Sequence, residues 1–191
     1  MVERYGAYSQ QWEVISGIHA HNAFDFTFEQ IMELTRVTVM LVRQLAPRAQ
    51  TQINLVTPWG EYYARNQRTI PPMLYTDMVV QSGVGFDGLG AQFRFGASED
   101  GMFIRDMFQI SEQIERLGNF GRQLHITAIQ VPSASTGQSS SADGGYWRKP
   151  WDEGLQAKWL KEFYSIALSK PFVESVTWHE LADRPGKSLV P

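Results

Sequence analysis

The clearest pattern of apolar and polar positions lies near the end of the chain. From residue 155 to residue 167, apolar side chains recur at helical spacing, and lysines and a glutamate fall on the opposite face. The apolar face carries Leu155, Trp159, Phe163, Ile166 and Ala167. Pro171 ends this helix, and residues 172–178 form a short apolar run rich in β-branched residues, as is typical of a strand buried on both faces. The pattern therefore predicts a helix followed by a buried strand.

The same order of strand and helix is repeated upstream. Strands are predicted in residues 11–22, where the strand runs into a polar segment, and in residues 51–57, 86–95 and 124–131. Helices are predicted from Thr27 to Pro47, from Pro71 to Gly83 and over residues 103–117. The chain is thus expected to contain five strands alternating with four helices.

The first of these helices has both a start signal and an apolar stripe. Thr27 with Gln30 matches a capping box, in which each side chain bonds to the backbone of the other residue. At helical spacing, the stripe consists of Ile31, Leu34, Val37, Leu41 and Leu45. The sequence therefore predicts an amphipathic helix with this apolar face.

Alternating strands and helices indicate an α/β fold with a parallel sheet and right-handed crossovers. Two architectures fit this alternation. One is an open, five-stranded, doubly wound sheet. The other is part of a (β/α)8 barrel, which needs more than five strands to close. Both place a functional site in the loops after the strands.

Composition and charge restrict the class of protein. With 191 residues, of which 43% are hydrophobic, the chain is long enough for one domain with a buried core. The net charge is −3 and there is no basic run, so we expect no nucleic acid and no membrane as a partner. No cysteine is present, which excludes disulfides and thiol chemistry. The first residues do not resemble a signal peptide, and the compartment stays open.

Two motifs are candidates for a cofactor site and a metal site. Residues 83–88 spell G-x-G-x-x-G, but they precede a strand, which is the reverse of the dinucleotide-binding context, and we expect no cofactor. His19 and His21 lie on one side of a strand end and are a candidate zinc pair, with Glu61 or His179 as further ligands. Histidines that only form hydrogen bonds in a polar cleft explain the same pattern, and we expect no metal.

Aromatic residues collect in the predicted loops. Residues 132–152 form a loop rich in serine and glycine, and at about 20 residues it exceeds the usual connection, which favours a binding loop. Four indoles lie in or beside loops that follow strands, namely Trp59, Trp147, Trp151 and Trp178. Sugar rings stack on indole faces, so this cluster predicts a carbohydrate cleft, with burial in the core as the alternative.

Four segments carry a resemblance to a known family. Residues 12–17 read Trp-Glu-Val-Ile-Ser-Gly and residues 87–92 read Asp-Gly-Leu-Gly-Ala-Gln. They resemble Trp-Asp-Val-Val-Asn-Glu and Asp-Gly-Ile-Gly-x-Gln of the endo-β-1,4-xylanases of glycoside hydrolase family 10. Residues 126–130 resemble the family's Ile-Thr-Glu-Leu-Asp, and the final unit, through Trp178 and Asp183, resembles its closing Trp-Gly-x-x-Asp pattern. The resemblance implies a (β/α)8 barrel in which these are the fourth to eighth strands.

The resemblance implies hydrolysis of xylan-type polysaccharide, but the catalytic positions differ. A retaining glycosidase needs two carboxyl groups about 5 Å apart. The family's acid/base glutamate falls on Gly17 and its nucleophile on Ala128, so we expect the retaining mechanism to be absent. Candidate substitutes are Glu61, Glu180 and Asp183, together with His19 and His21. The alternatives are a non-catalytic polysaccharide-binding pseudoenzyme and a metal-assisted hydrolase that uses His19 and His21.

Binding positions persist in the resemblance. Trp178 corresponds to the family's cleft indole and Gln92 to its strand-end amide, and Arg94 and His179 replace a histidine and a glycine. The candidate substrate-binding residues are Trp178, Gln92, Arg94, His19, His21, Asn22, Asn54, Trp59 and His179. We expect a polysaccharide or oligosaccharide as the ligand. We also expect residues 1–191 to be one partial barrel domain, either a fragment of a longer protein or a half-barrel completed by self-association.

Overall fold

A computed structural model describes residues 2–66, 68–96, 101–133 and 144–180 of the chain. The strands are β1 (Gln11–Ser16), β2 (Gln50–Leu55), β3 (Gly88–Arg94), β4 (Gln123–Gln130) and β5 (Val173–Trp178). The helices are α1 (Val2–Tyr5), α2 (Phe28–Leu45), α3 (Glu61–Arg65), α4 (Pro72–Gln81), α5 (Met107–Gly118) and α6 (Glu153–Leu168). None of the described helices is long and apolar enough to cross a membrane.

The strand order decides between the two predicted architectures. The sheet runs β1-β2-β3-β4-β5, and every pair is parallel. In a doubly wound sheet the order reverses at a switch point, so that helices cover both faces. Here each strand follows its neighbour in one direction, and right-handed crossovers then put the helices on one face, as in a barrel. The prediction of a partial barrel is confirmed, and the doubly wound alternative is wrong.

The apolar core lies between the sheet and its helices. On β3, Leu89, Ala91 and Phe93 alternate with other residues and are buried. The ring of Phe93 lies edge-on to Phe163 of α6 at 5.8 Å between centroids, and Phe163 stacks on Trp159 at 5.0 Å. These contacts fix α6 against the sheet, because aromatic side chains bury large areas and prefer such edge and stacked geometries.

The other face of the sheet, which we call the inner face, is polar near the amino ends of the strands. The Gln11 Nε2 donates to the Gln52 Oε1 at 2.8 Å and lies 3.0 Å from the His125 Nε2. The His125 Nδ1 lies 2.9 Å from the Ser175 Oγ. A Cβ at Gly90 would collide with the Gln52 amide, so this glycine leaves room for side chains of the neighbouring strand. A hydrogen-bonded row therefore links β1, β2, β4 and β5.

Helix α2 confirms one prediction and corrects another. Thr27 and Gln30 form the predicted capping box, with bonds of 2.8 and 3.3 Å. The predicted apolar stripe is wrong as the buried face, because α2 buries Ile31, Thr35, Val39 and Val42. Three residues of the stripe, Val37, Leu41 and Leu45, are 44%, 51% and 43% exposed.

The reason for this correction lies at Thr35. Its hydroxyl donates to the Ile31 carbonyl at 2.8 Å and bonds to the Tyr75 hydroxyl of α4, also at 2.8 Å. A threonine that satisfies its hydroxyl can be buried with little penalty, so the face with Thr35 packs inward. Helix α2 consequently has two apolar faces, and the second remains on the surface.

Candidate functional site

The carboxyl ends of the strands bring neutral polar side chains together. The strand register places Ser16 beside Asn54. The Asn54 Nδ2 donates to the Ser16 Oγ at 3.1 Å, and its Oδ1 accepts from the Thr127 Oγ1 at 2.8 Å. Both bonds lie on the inner face, and Asn54 is only 1% exposed. An amide and two hydroxyls thus connect β1, β2 and β4, while Gln92 lies in register with Ala128 nearby.

Gly17 occupies the position that the family resemblance assigns to the acid/base glutamate. Its φ is +60°, a conformation that favours glycine, and its N–H donates to the Asn54 carbonyl at 2.9 Å. A Cβ there would lie 3.2 Å from both γ carbons of Val56 and 3.3 Å from the His21 Cδ2. The space beside Gly17 is therefore filled by a valine and an imidazole, and a larger side chain would be strained.

Ala128 occupies the position assigned to the nucleophile and is 2% exposed. The candidate substitutes lie in different surroundings. Glu61 of α3 forms an ion pair with Arg105, whose guanidinium lies 5.4 Å from the centroid of the Trp59 ring. Glu180 is partly buried just after β5, and Asp183 lies outside the described residues.

His19 is buried, contrary to its prediction as a ligand contact. It is 1% exposed, its Nε2 lies 2.9 Å from the Val56 carbonyl oxygen, and its ring stacks on Tyr75 at 5.5 Å. Burial disfavours the charged imidazole and lowers the pKa of His19 to about 4, although the Val56 carbonyl acts in the opposite direction. The Ile70 N–H donates to the His19 carbonyl at 2.8 Å. His19 therefore anchors the loops that follow β1 and β2.

The zinc hypothesis gains no ligand set from the structure. Of the candidate pair, His21 is exposed, whereas His19 is buried against Val56 and Tyr75. His21 packs edge-on against Tyr62, with 5.5 Å between ring centroids. In the part of the chain that the structure describes, no group of three or more His, Cys, Asp or Glu side chains is placed to hold a metal ion.

The four indoles of the predicted cleft separate into two pairs. Trp147 and Trp151 are 5% and 4% exposed and belong to the core, so the cleft prediction is wrong for them. They are buried because the segment before α6 returns to the apolar core. Trp59 is partly buried and lies edge-on to Phe93 at 5.4 Å. Trp178 is partly buried, packs against the core and lies in register with Ile129. Residues 134–143 of the long loop lie outside the described residues.

The three remaining candidate binding residues, Gln92, Arg94 and His179, differ in their exposure and in their hydrogen-bond partners. Gln92 is partly buried, and its amide makes no side-chain hydrogen bond to the described residues. The Arg94 Nε donates to the Gln130 Oε1 at 3.2 Å. His179 is exposed, and its backbone N–H donates to the Ile129 carbonyl at 3.1 Å. Gln92 therefore has the strand-end amide that is most open to a ligand.

Asn22 has a local role that its sequence position did not indicate. Its Nδ2 donates to the Phe26 carbonyl at 2.8 Å, and its Oδ1 accepts from the Phe26 N–H at 2.9 Å. The side chain is therefore used to close the loop between β1 and α2. Ser16 and Thr127 join Asn54 at the strand ends and were not predicted. Their signal is the alternation of polar with apolar residues along strands that otherwise read as buried.

The structure of the chain is similar to known proteins, although its sequence is not. Neither protein-family models nor curated proteins match the sequence. A glycoside hydrolase family 10 structure from Paenibacillus barcinonensis is 17% identical with a TM-score of 0.64, and the match covers 93% of this chain and 52% of that one. A xylanase 10B from Thermotoga petrophila in complex with xylobiose is 15% identical with a TM-score of 0.59, over 93% and 50% of the two chains. The fold is that of part of a (β/α)8 barrel.

This partial barrel is not similar to one family alone. The catalytic domain of a family 53 glycoside hydrolase from Ignisphaera aggregans matches 92% of the chain and 49% of its own length, with 14% identity and a TM-score of 0.59. The chain spans about half the length of the solved structures it matches. Identities this low establish the fold, and the function has to be argued from the site.

Proposed function

We propose that this chain is a polysaccharide-binding domain with a xylanase-like partial barrel that lacks the retaining glycosidase mechanism. The observation that carries the proposal is the chemistry of the strand ends. Side-chain amides and hydroxyls, from Ser16, Asn54, Gln92 and Thr127, line the inner face there. Neutral sugars are recognised by such groups and by aromatic faces, without any need for charge.

The loss of retaining chemistry is argued from two positions. Gly17 and Ala128 stand where the resemblance expects carboxylates, and neither side chain can donate a proton or form a glycosyl-enzyme. Glu61 does not simply replace one of them, because it is engaged with Arg105. General acid/base assistance by one positioned group contributes about 10²–10⁴-fold, so hydrolysis without either group is expected to be negligible.

The ligand class follows from the fold and from the open groups at the strand ends. Gln92 can both donate to and accept from sugar hydroxyls, and Trp59 and Trp178 each keep part of their surface exposed. A structurally similar xylanase was solved with xylobiose, which supports a β-linked xylo-oligosaccharide as the ligand. We infer that the chain binds xylan-type polysaccharides weakly, through uncharged groups.

We also propose that further barrel units cover the open sides of this sheet, from the same polypeptide or from a second copy. Strands β1 and β5 are the sheet edges and leave backbone groups unpaired. The second apolar face of α2, with Val37, Leu41 and Leu45, lies on the surface. Parallel sheets are buried in known folds, so an uncovered one is expected to associate.

A mechanism-based inhibitor that traps a glycosyl-enzyme tests the catalytic half of the proposal. Mass spectrometry of the protein after incubation is expected to show no covalent sugar adduct. A stoichiometric adduct would show that a carboxylate still acts as a nucleophile and would contradict the proposal. An active family 10 xylanase, treated in parallel, is the positive control.

A further inference from the structure

Phe24 is an aromatic residue held in solvent at the carboxyl edge of the sheet. It lies in the loop between β1 and α2, and it is 77% exposed. The loop follows a strand, so it belongs to the edge at which barrels of this kind build their sites. Single exposed apolar side chains are common on protein surfaces, so the significance of Phe24 depends on how its loop holds it and on what lies near it.

The loop holds Phe24 by a local hydrogen-bonded clamp. The side-chain amide of Asn22 bonds to both the N–H and the carbonyl of Phe26, at 2.9 and 2.8 Å. The Asp25 N–H donates to the Asn22 carbonyl at 3.3 Å, and Asp25 adopts a φ of +50°. Phe24 stands at the tip of this closed turn, so its position is set by the backbone rather than by a mobile chain.

A second aromatic ring, that of Phe26, packs against Phe24. The centroids of Phe24 and Phe26 are 5.4 Å apart with an angle of 31° between the rings. Phe26 itself is partly buried and packs against the apolar core. Phe24 therefore presents ring surface to solvent on a base that connects to the core.

Groups that form hydrogen bonds accompany this ring. His21 precedes it by three residues and is exposed. Its backbone N–H donates to the Gly17 carbonyl at 2.8 Å, whereas its imidazole makes no hydrogen bond to the described residues. Its ring lies edge-on to Tyr62 of α3, with 5.5 Å between centroids. This contact connects the loop after β1 to the segment that follows β2. An exposed ring on the same loop as an imidazole suits a sugar, whose C–H face packs on the ring while its hydroxyls bond to polar groups.

We propose that Phe24, with His21 on the same loop, is a stacking platform for a further sugar unit of a bound polysaccharide. The inference rests on the proposed function. Strands β1 and β3 are two strand spacings apart, about 10 Å. A ligand that contacts both Gln92 on β3 and the Phe24 loop after β1 must therefore be an oligomer. Phe24 extends the site toward β1 and makes binding depend on the length of the sugar chain.

The test compares Phe24 with an aromatic residue at the opposite edge of the sheet. Tyr8 is 88% exposed and precedes β1, so Tyr8→Leu is the matched control. In calorimetric titrations, Phe24→Leu is expected to bind xylohexaose about three- to tenfold more weakly, the effect of one aromatic contact. Binding of xylose, a single sugar that cannot span both contacts, should be unchanged. Phe24→Trp should restore the affinity for xylohexaose, and Tyr8→Leu should behave as the unmodified chain.

The outcomes separate this inference from the proposed function. If Gln92→Ala weakens binding of xylohexaose and Phe24→Leu does not, the proposed function stands and the platform is wrong. If the unmodified chain binds neither xylan nor xylohexaose, both are wrong. If Phe24→Leu instead changes only the oligomeric state in light scattering, Phe24 is a protein contact and the inference is overturned. An unchanged melting temperature of Phe24→Leu confirms that the variant folds.

Discussion

The two ends of the inner face of the sheet differ in how their polar groups are used. At the amino ends, Gln11, Gln52, His125 and Ser175 bond to one another in a row that crosses most of the sheet. At the carboxyl ends, Asn54 ties β1 to β4, but Gln92 and the exposed His21 keep their groups open. The same strands therefore carry a closed structural layer at one end and an open polar layer at the other.

The amino ends of the strands stabilise the sheet, and the carboxyl ends leave polar groups available to a ligand. A cavity of about 170 Å³ does open at the amino ends, between Gln11, Asp87, His125 and Glu174. Its histidine, however, is committed to Gln11 and Ser175, so this end is explained by folding. Barrel enzymes bind their ligands at the carboxyl ends, where loop residues can vary without disturbing the sheet.

Replacing His125 interrupts the hydrogen-bonded row at the amino ends of the strands, and we expect it to have the largest effect on the free energy of unfolding. His125→Leu removes the partner of the Ser175 hydroxyl and leaves the Gln11 amide with Gln52 alone, and we expect a loss of about 3 kcal/mol in the free energy of unfolding. Urea denaturation measures it. His21→Leu, a substitution of an exposed histidine at the other end, is the control and should change stability by less than about 0.5 kcal/mol. Equal effects of the two variants would remove the distinction between the ends.

Acid is expected to destabilise the chain through His19. Its pKa is lowered to about 4 in the folded state, so the unfolded chain, with a pKa near 6.5, binds the proton first. The contribution of neutral His19 to the free energy of unfolding is therefore fully present above about pH 7. It falls as the pH is lowered, by on the order of 2 kcal/mol at pH 5. The pKa of His125 is lowered as well, chiefly by burial, and acts in the same direction.

Denaturation curves at pH 7.5, 6 and 5 measure this dependence. The variant His19→Gln should be less stable at pH 7.5 but should lose much less stability on acidification. A variant that keeps the full dependence on pH would show that another group carries it.

The second apolar face of α2 is expected to affect association of the chain rather than its folding. Leu41 is 51% exposed, so Leu41→Glu should change the free energy of unfolding by less than about 0.5 kcal/mol. Light scattering should show reduced self-association of this variant. Gln44→Glu, at an exposed polar position of the same helix, adds the same charge and is the control. A compact monomer in every case would argue against any partner for this face.

The smallest effect on stability is expected at the open end. Gln92→Ala removes an amide that makes no side-chain hydrogen bond to the described residues, so its melting temperature should stay within about 2 °C of the unmodified chain. Its affinity for xylo-oligosaccharides should nevertheless fall by about three- to tenfold, as expected for the loss of one or two hydrogen bonds. Gln44→Ala is the matched control. A loss of stability without a loss of affinity would assign Gln92 to the structural layer.

Local patterns in the sequence were sufficient for most of the fold. The capping box at Thr27 and the alternation of strands and helices depend on neighbours along the chain, and both were predicted. The buried face of α2 was not, because the choice between two apolar faces depends on the bond between Thr35 and Tyr75, which are distant in sequence.

The site was less predictable than the fold. Sequence placed His19, Asn22 and Trp151 among residues that follow strands, but it could not tell which of them turn inward. Burial of His19 depends on its contact with Tyr75, which is distant in sequence. The bonds of Asn22 to Phe26 span only four residues and were missed although they are local. Gly17 and Ala128 could be recognised only through the family resemblance, since small residues carry no pattern of their own.

Titration of the chain with xylohexaose, followed by mass spectrometry of the recovered sugar, tests whether the chain binds polysaccharide without hydrolysing it. We predict saturable heat of binding and xylohexaose that is recovered intact, because the strand ends offer hydrogen bonds and aromatic surface while Gly17 and Ala128 offer no carboxylate. Saturable binding with shortened products would contradict the loss of hydrolysis. The absence of any saturable heat would contradict polysaccharide binding itself.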